Sequence, residues 1–324
     1  MKLSLAIGFA LAFAGPVAAL AAPAKPSPTS ETLPLVSLED LHAFVLTDKT
    51  AYVVGEPVFL HLVLANWSLK GKFELQGYLH PANDFEIKVS RLNEIPKRFT
   101  AGAKKDVLFP GQTFVLRPRE LCSLRWALCY EPDNPSGFLF DQPGLYRIAC
   151  QARMAINRTP RDLNLPEFQI EIKPPTAEQK AVTGLMMRPD CAADLQDMAA
   201  TEETTRTWQE VLEKFPRSLW APYARLLLAK LEAETGRSDY AVLAQQIETL
   251  PRDYPDFPAL DDVYYLCATC QDRLGRPREA LRWLYRIERE IPLSPYAQPN
   301  NRLFRKYIYP AGWEDRYAPW YLRE

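Results

Sequence analysis

Cys267-Ala268-Thr269-Cys270 is the most suggestive chemical motif in this sequence, since two thiols at that spacing can form a redox dithiol or half of a zinc site. A redox pair of this kind works from a helix N-terminus, where the dipole lowers the thiol pKa. This pair instead lies inside an apolar stripe at helical spacing, so both cysteines are expected to be packed core thiols. Zinc would need a second pair at ligand spacing, and Cys122 and Cys129 do not supply one. Cys122 shares strand parity with Leu124, Trp126 and Leu128, and Cys150 shares it with Tyr146 and Ile148. Both therefore point inward. On neighbouring strands Cys122 and Cys150 would be a candidate disulfide; two buried thiols account for the same parity.

The other reactive types lack partners in sequence. His42, His61 and His80 are the only imidazoles; His61 has no cysteine or acid at ligand spacing, His80 precedes a turn, and none completes a Ser/His/Asp or Cys/His arrangement in sequence. There is no HExxH, no GxSxG and no phosphate-binding glycine loop. Asp261-Asp262 opens a helical segment, where carboxylates favour the positive end of the helix dipole, and that suffices to explain the pair. No catalytic residue, metal ligand or cofactor site is assigned, and the expected class is non-enzymatic.

The C-terminal stretch is rich in rings. Trp313, Tyr317, Trp320 and Tyr321 stand among Arg302, Arg305, Lys306, Arg316 and Arg323. Rings beside cations can stack on sugars or grip an acidic peptide. Alternatively the stretch seals an apolar end: Leu303, Phe304, Tyr307 and Ile308 have helical spacing, so 298–309 is predicted to form a capping helix within a cap over 298–324.

Elements must position these groups, and their pattern changes along the chain. Residues 1–21 read as a cleavable secretory signal: Lys2, an apolar run from Leu3 to Phe13, then the small-x-small Ala19-Leu20-Ala21. No later stretch is apolar enough to span a bilayer. The whole chain carries 39 Lys and Arg against 40 Asp and Glu; removing Lys2 with the signal leaves 38 against 40, a net of −2. That balance disfavours nucleic acid as a partner. Residues 22–34 are a Pro-rich linker. From 35 to 173 the apolar period is two, as in Val58, Leu60, Leu62, Leu64 and in Phe168, Ile170, Ile172, with Pro/Gly/Asn/Asp turns between the runs. After Lys173-Pro174-Pro175 the period becomes 3.6: Trp220, Ala224, Leu227, Leu228 and Leu231 form one stripe. A 39-residue period relates Phe215-Pro216, Gly236 and Ala241 to Tyr254-Pro255, Gly275 and Ala280.

Two resemblances rest on these residues. Tyr52-Val53-Val54-Gly55-Glu56-Pro57-Val58, Leu64-Ala65-Asn66, Leu108 to Gln112 and Asp141 to Tyr146 make the first part resemble an immunoglobulin-like sandwich, a fold signature without an activity. Tyr264, Cys267, Ala268, Gly275, Ala280, Leu284, Ile287 and Pro292 make 177–297 resemble tetratricopeptide (TPR) repeats. The fold class expected is thus two-domain, all-β plus all-α: an antiparallel sandwich at 35–173, then TPR-like hairpins at 177–297. The signal segment implies a periplasmic or secreted protein, and the resemblances imply one that binds protein partners of the bacterial cell envelope through its TPR-like surface, as a scaffold. Two other classes stay open. One is an immunoglobulin-like protease inhibitor presenting a rigid exposed loop such as Tyr130 to Gly137. The other is a carbohydrate or peptidoglycan binder using the aromatic tail.

Overall fold

A computed structural model describes residues 33–77, 85–100, 112–236, 239–297 and 301–308 of the chain. The signal segment 1–21, all but the end of the 22–34 linker and the Leu108–Gly111 phrase lie outside the described residues.

The strands are β1 (Leu41–Thr47), β2 (Ala51–Val53), β3 (Val58–Asn66), β4 (Phe73–Gly77), β5 (Phe85–Arg91), β6 (Lys97–Arg98), β7 (Gln112–Leu116), β8 (Leu121–Leu128), β9 (Gly144–Ile156), β10 (Thr159–Asn164) and β11 (Phe168–Lys173). They form two sheets. A small sheet has the order β1-β3-β8, and a larger one runs β2-β11-β9-β4-β7, with β10 and the β5–β6 pair also joined to β9. Alternation places one face of each sheet against the other. Leu60, Leu62, Leu64 and Leu128 of the small sheet meet Ile87, Ile148, Ala152 and Ile170 of the large one in a single apolar core. The β9–β10 turn uses Asn157 and Arg158 at φ 51° and 65°, the left-handed pair that a two-residue hairpin requires.

The side-chain amides of Asn66 and Asn157 are structural. Asn66 is fully buried, and its Nδ2 donates to the carbonyls of Gly71 (2.8 Å) and Leu116 (3.0 Å). Asn157 accepts from the Glu74 amide at 3.0 Å and donates to the Val36 carbonyl at 3.0 Å.

Helices follow the last strand: α1 (Ala177–Met186), α2 (Pro189–Asp197), α3 (Thr205–Lys214), α4 (Ala221–Thr235), α5 (Tyr240–Ile247), α6 (Leu250–Asp253), α7 (Leu260–Arg273), α8 (Pro277–Glu290) and α9 (Arg302–Tyr307). The change of element has a local cause. Pro174 and Pro175 cannot extend the ladder, and Thr176 with Gln179 closes a capping box on α1. Further on, α4–α5 and α7–α8 are hairpins 39 residues out of step, and the Tyr254 hydroxyl donates to the Pro216 carbonyl at 2.7 Å, linking the Phe215-Pro216 and Tyr254-Pro255 steps of the two units. Leu303, Phe304 and Ile308 of the α9 region bury against Tyr264, Ala268, Leu284 and Ile287, closing the last hairpin.

The expected split into an all-β and an all-α domain is not what the chain adopts. The larger sheet is mixed, because β2 pairs with β11 in parallel while β9 pairs with β11 antiparallel. More decisively, the small sheet is covered on both faces. Phe59, Ala127, Cys129 and Phe138, which turn away from the sheet–sheet core, share one apolar cluster with Val182, Leu195, Trp208, Trp220, Leu227 and Val263 of the helices. A strand pair coated on one side by a sheet and on the other by helices is the middle of a three-layer α+β arrangement, and the helical core continues through it. Gly137 marks the tightness of this seam: it adopts φ +75°, and a Cβ there would come within 2.3 Å of Pro189 Cα at the start of α2.

Candidate functional site

The outer face of β8 carries one charge into that helical layer. Arg125 stands between Ser123 and Ala127, opposite His61 in the β3–β8 register. Its guanidinium forks onto both carboxylates at the start of α7, one nitrogen to Asp261 and the other to Asp262. Asp261 also accepts from Ser294 Oγ (2.7 Å), and Asp262 from Lys230 Nζ (2.6 Å) and the Tyr296 hydroxyl (2.8 Å). Lys230 in turn donates to the Met198 carbonyl at the end of α2 (3.2 Å). The side chain of Arg125 is 7% exposed and those of the two aspartates 1% and 2%. Burial alone would raise both carboxyls. At Asp262 Arg125 and Lys230 outweigh it and hold the group well below the usual carboxylate range. Asp261 is raised, by burial first and by its neighbour Asp262, with Arg125 opposing. Burial would likewise lower Arg125, but the two aspartates reverse this and raise it.

The chemistry of this node is cohesion. Between them the two carboxylates accept from β8, α4 and the 294–296 segment, so the cluster joins layers. The adjacent Asp pair, which the helix dipole sufficed to explain in sequence, has a specific cationic partner 136 residues away. His61, beside Arg125, is pushed down to about 4 by burial first and the guanidinium second, and its Nδ1 has no hydrogen-bond partner among the described residues. Asp194 on α2 is raised to about 6 by burial, although it accepts from Trp208 Nε1 at 2.7 Å.

The cysteines are all buried thiols. Cys267 and Cys270 lie within α7, and burial pushes Cys267 well above its ordinary value and Cys270 up to about 11. Neither is a thiolate at neutral pH, which a redox motif requires. The candidate disulfide of Cys122 and Cys150 is not formed. Cys122 belongs to the small sheet and Cys150 to the large one, so they face each other across the core and are not on neighbouring strands. Packed sheets stand about 10 Å apart, beyond the Cα separation of roughly 7 Å that a bridge tolerates.

Solvent-open concavities among the described residues include two that bear on these readings. One, of about 730 Å³, lies between the β5–β6 hairpin and the 131–142 segment, with Arg91, Lys97 and Arg98 on the hairpin wall and Glu131, Asp133 and Asp141 on the other. Its loop from Tyr130 to Gly137 is tied back on itself: the Glu131 amide donates to the Gly137 carbonyl (2.8 Å), the Gly137 amide to Asn134 (2.8 Å), and Asn134 Nδ2 to Phe138 (2.8 Å). The loop is thus a closed turn held by its own hydrogen bonds.

The second concavity, of about 540 Å³, runs along the outer side of the α7–α8 hairpin. Arg282, Arg286 and Arg289 recur at helical spacing beside Trp283 and the exposed Tyr285, with Glu248 of the α5 end and Gln271 of α7 completing the wall. Arg286 lies 4.2 Å from the centroid of the Tyr264 ring and donates to Glu290 at 2.8 Å. Gln271 is buried and its Oε1 has no partner among the described residues. The sequence carried a signal for this surface, the stripe Arg278, Arg282, Arg286, Arg289, but not for Gln271 or Glu248, which other helices bring to it. Trp313, Tyr317, Trp320 and Tyr321, the aromatic binding surface expected from sequence, lie outside the described residues.

No protein-family model matches the chain, and no curated protein matches it by sequence. Among solved structures, partial likenesses include an alkylpurine DNA glycosylase of Pseudomonas fluorescens bound to DNA containing an abasic-site analogue, at 12% identity over 41% of this chain and 30% of that one, with a TM-score of 0.24. A β-glucosidase of Listeria innocua in complex with glucose matches at 14% identity over 41% of this chain and 16% of that one, TM-score 0.22. The CARDB domain of a Pyrococcus furiosus protein in complex with di-metal ions matches at 15% identity over 46% of this chain and all of that one, TM-score 0.23. These scores place the chain in no family, and the three proteins differ in function.

Proposed function

We propose that this chain is a non-catalytic protein-binding protein that acts outside the cytoplasm and docks its partner on the outer side of the α7–α8 hairpin. One observation carries the reading: that groove combines an exposed tyrosine, a row of arginines and a buried amide oxygen still lacking a donor. Aromatic and arginine side chains are the types that anchor protein interfaces. The opposite side of the helical layer is taken, because Asp261 and Asp262 in the first turn of α7 are spent on Arg125 of the chain's own sheet, and Lys230 of α4 is spent on Asp262. The signal pattern at 1–21 supports the location.

The test is an affinity capture from the native envelope with the tagged full chain, run beside Tyr285→Ala and Arg282→Glu. A partner held by the wild type and lost from both variants, with their melting temperatures unchanged, is the expected result. A set of captured proteins identical for all three would overturn the assignment of the surface.

A further inference from the structure

Resting on that docking surface, we infer that the groove takes an extended peptide segment of mixed charge, with an acidic side chain against Arg289, a basic one against Glu248, and a backbone N–H given to Gln271 Oε1. The charges along the groove are not equivalent. Arg282 is paired with Glu279 at 3.1 Å, and Arg286 with Glu290 at 2.8 Å. Arg286 is further committed to the Tyr264 hydroxyl, to which it donates at 2.7 Å, and to the Tyr264 and Trp283 rings. Arg289 and Glu248 line the same groove and enter no ion pair among the described residues. One cation and one anion are thus left to face a ligand, and they call for opposite charges on it.

Gln271 supplies the third requirement. It is only 8% exposed, yet its amide oxygen has no donor among the described residues. A buried acceptor without a partner costs stability until something donates to it. An extended peptide offers a backbone N–H at every residue other than proline, together with side chains that alternate in direction. A free inorganic anion would satisfy Arg289 and be repelled by Glu248, and a metal ion would meet the reverse conflict. A segment carrying both signs satisfies all three groups.

The experiment is a display library of random decapeptides panned on the immobilised full chain. The expected winners carry an acid and a base in one fixed spacing. Arg289→Glu is expected to replace the acid by a base at its position, and Glu248→Lys to replace the base by an acid. Gln271→Leu should raise the melting temperature, since the orphaned oxygen is gone, and weaken the winning peptide about 5–10-fold for one lost hydrogen bond. No enriched sequence, charges unmoved by both reversals, or unchanged affinity in Gln271→Leu would each overturn the inference. If the envelope capture still loses its partner on Tyr285→Ala while the library enriches nothing, only this peptide inference falls and the docking surface stands.

Discussion

The two faces of the β1-β3-β8 sheet solve the same problem differently. The inner face, against the large sheet, is built from Leu60, Leu62, Leu64 and Leu128 and relies on apolar burial. The outer face, against the helices, mixes Phe59 and Ala127 with His61, Ser123 and Arg125. Apolar packing is non-directional and tolerates many arrangements of similar volume. A guanidinium that must meet two carboxylates is satisfied in one orientation only. The inner face therefore supplies adhesion, while the outer one dictates how the helical layer sits.

The most drastic way to break this comparison is to remove the helices. A fragment ending at Lys173 bares Phe59, Ala127, Cys129 and Phe138 together with an unpaired Arg125. It is expected to aggregate and to lack a dispersed amide NMR spectrum, and to be rescued by co-expression of 177–324. A monomeric, well-dispersed fragment would show that the inner face suffices by itself.

A smaller lesion leaves both layers in place. Arg125→Met leaves Asp261 without a cation and Asp262 with Lys230 alone, and breaking a buried pair from one side costs about 3–5 kcal/mol. Adding Asp261→Asn and Asp262→Asn to that variant removes the stranded charges and should recover most of the loss in denaturant unfolding. Equal stability of the single and triple variants would mean that Arg125 acts by packing over the Phe59 ring, whose centroid lies 5.2 Å from its guanidinium carbon, instead of through the two carboxylates.

The smallest expected effect is on pH dependence, which the helical side carries through His61 and Asp194. His61 titrates near 4 in the fold against 6.5 when exposed, so the unfolded chain binds more protons between those values and stability rises with pH there. Asp194 titrates near 6 against 3.8, so the folded chain binds more protons between those values and stability falls as pH rises. The two slopes oppose each other between about pH 4 and 6 in the wild type. Asp194→Asn should leave a rising profile and His61→Phe a falling one, read from melting temperatures at pH 4.5 and 6.5. Identical profiles in the two variants would remove both groups from the account.

Much of the local structure is legible in single segments. The alternation at 144–154 and 168–172 lies in β9 and β11, and the apolar stripe around Cys267 lies in α7, because periods of two and 3.6 are set by backbone geometry alone. A signal for two-sided burial was present as well. Val58 to Ala65 is apolar at every position except His61, and an unbroken apolar run marks a strand buried on both faces, whereas a reading of one parity picks out only the inner set.

What the sequence determines by itself, then, is the type of each segment and the absence of the familiar catalytic spacings, since both depend on residues close together in the chain. Tertiary structure alone decides that Arg125 meets Asp261 and Asp262 across more than 130 residues, that Cys122 and Cys150 sit on different sheets, and that Glu248 and Gln271 join Arg289 on one groove. The reason is physical. Parity and helical stripe say which way a side chain points, but the partner it meets is chosen by which layers must cover each other's apolar faces. That choice is made by the whole chain at once.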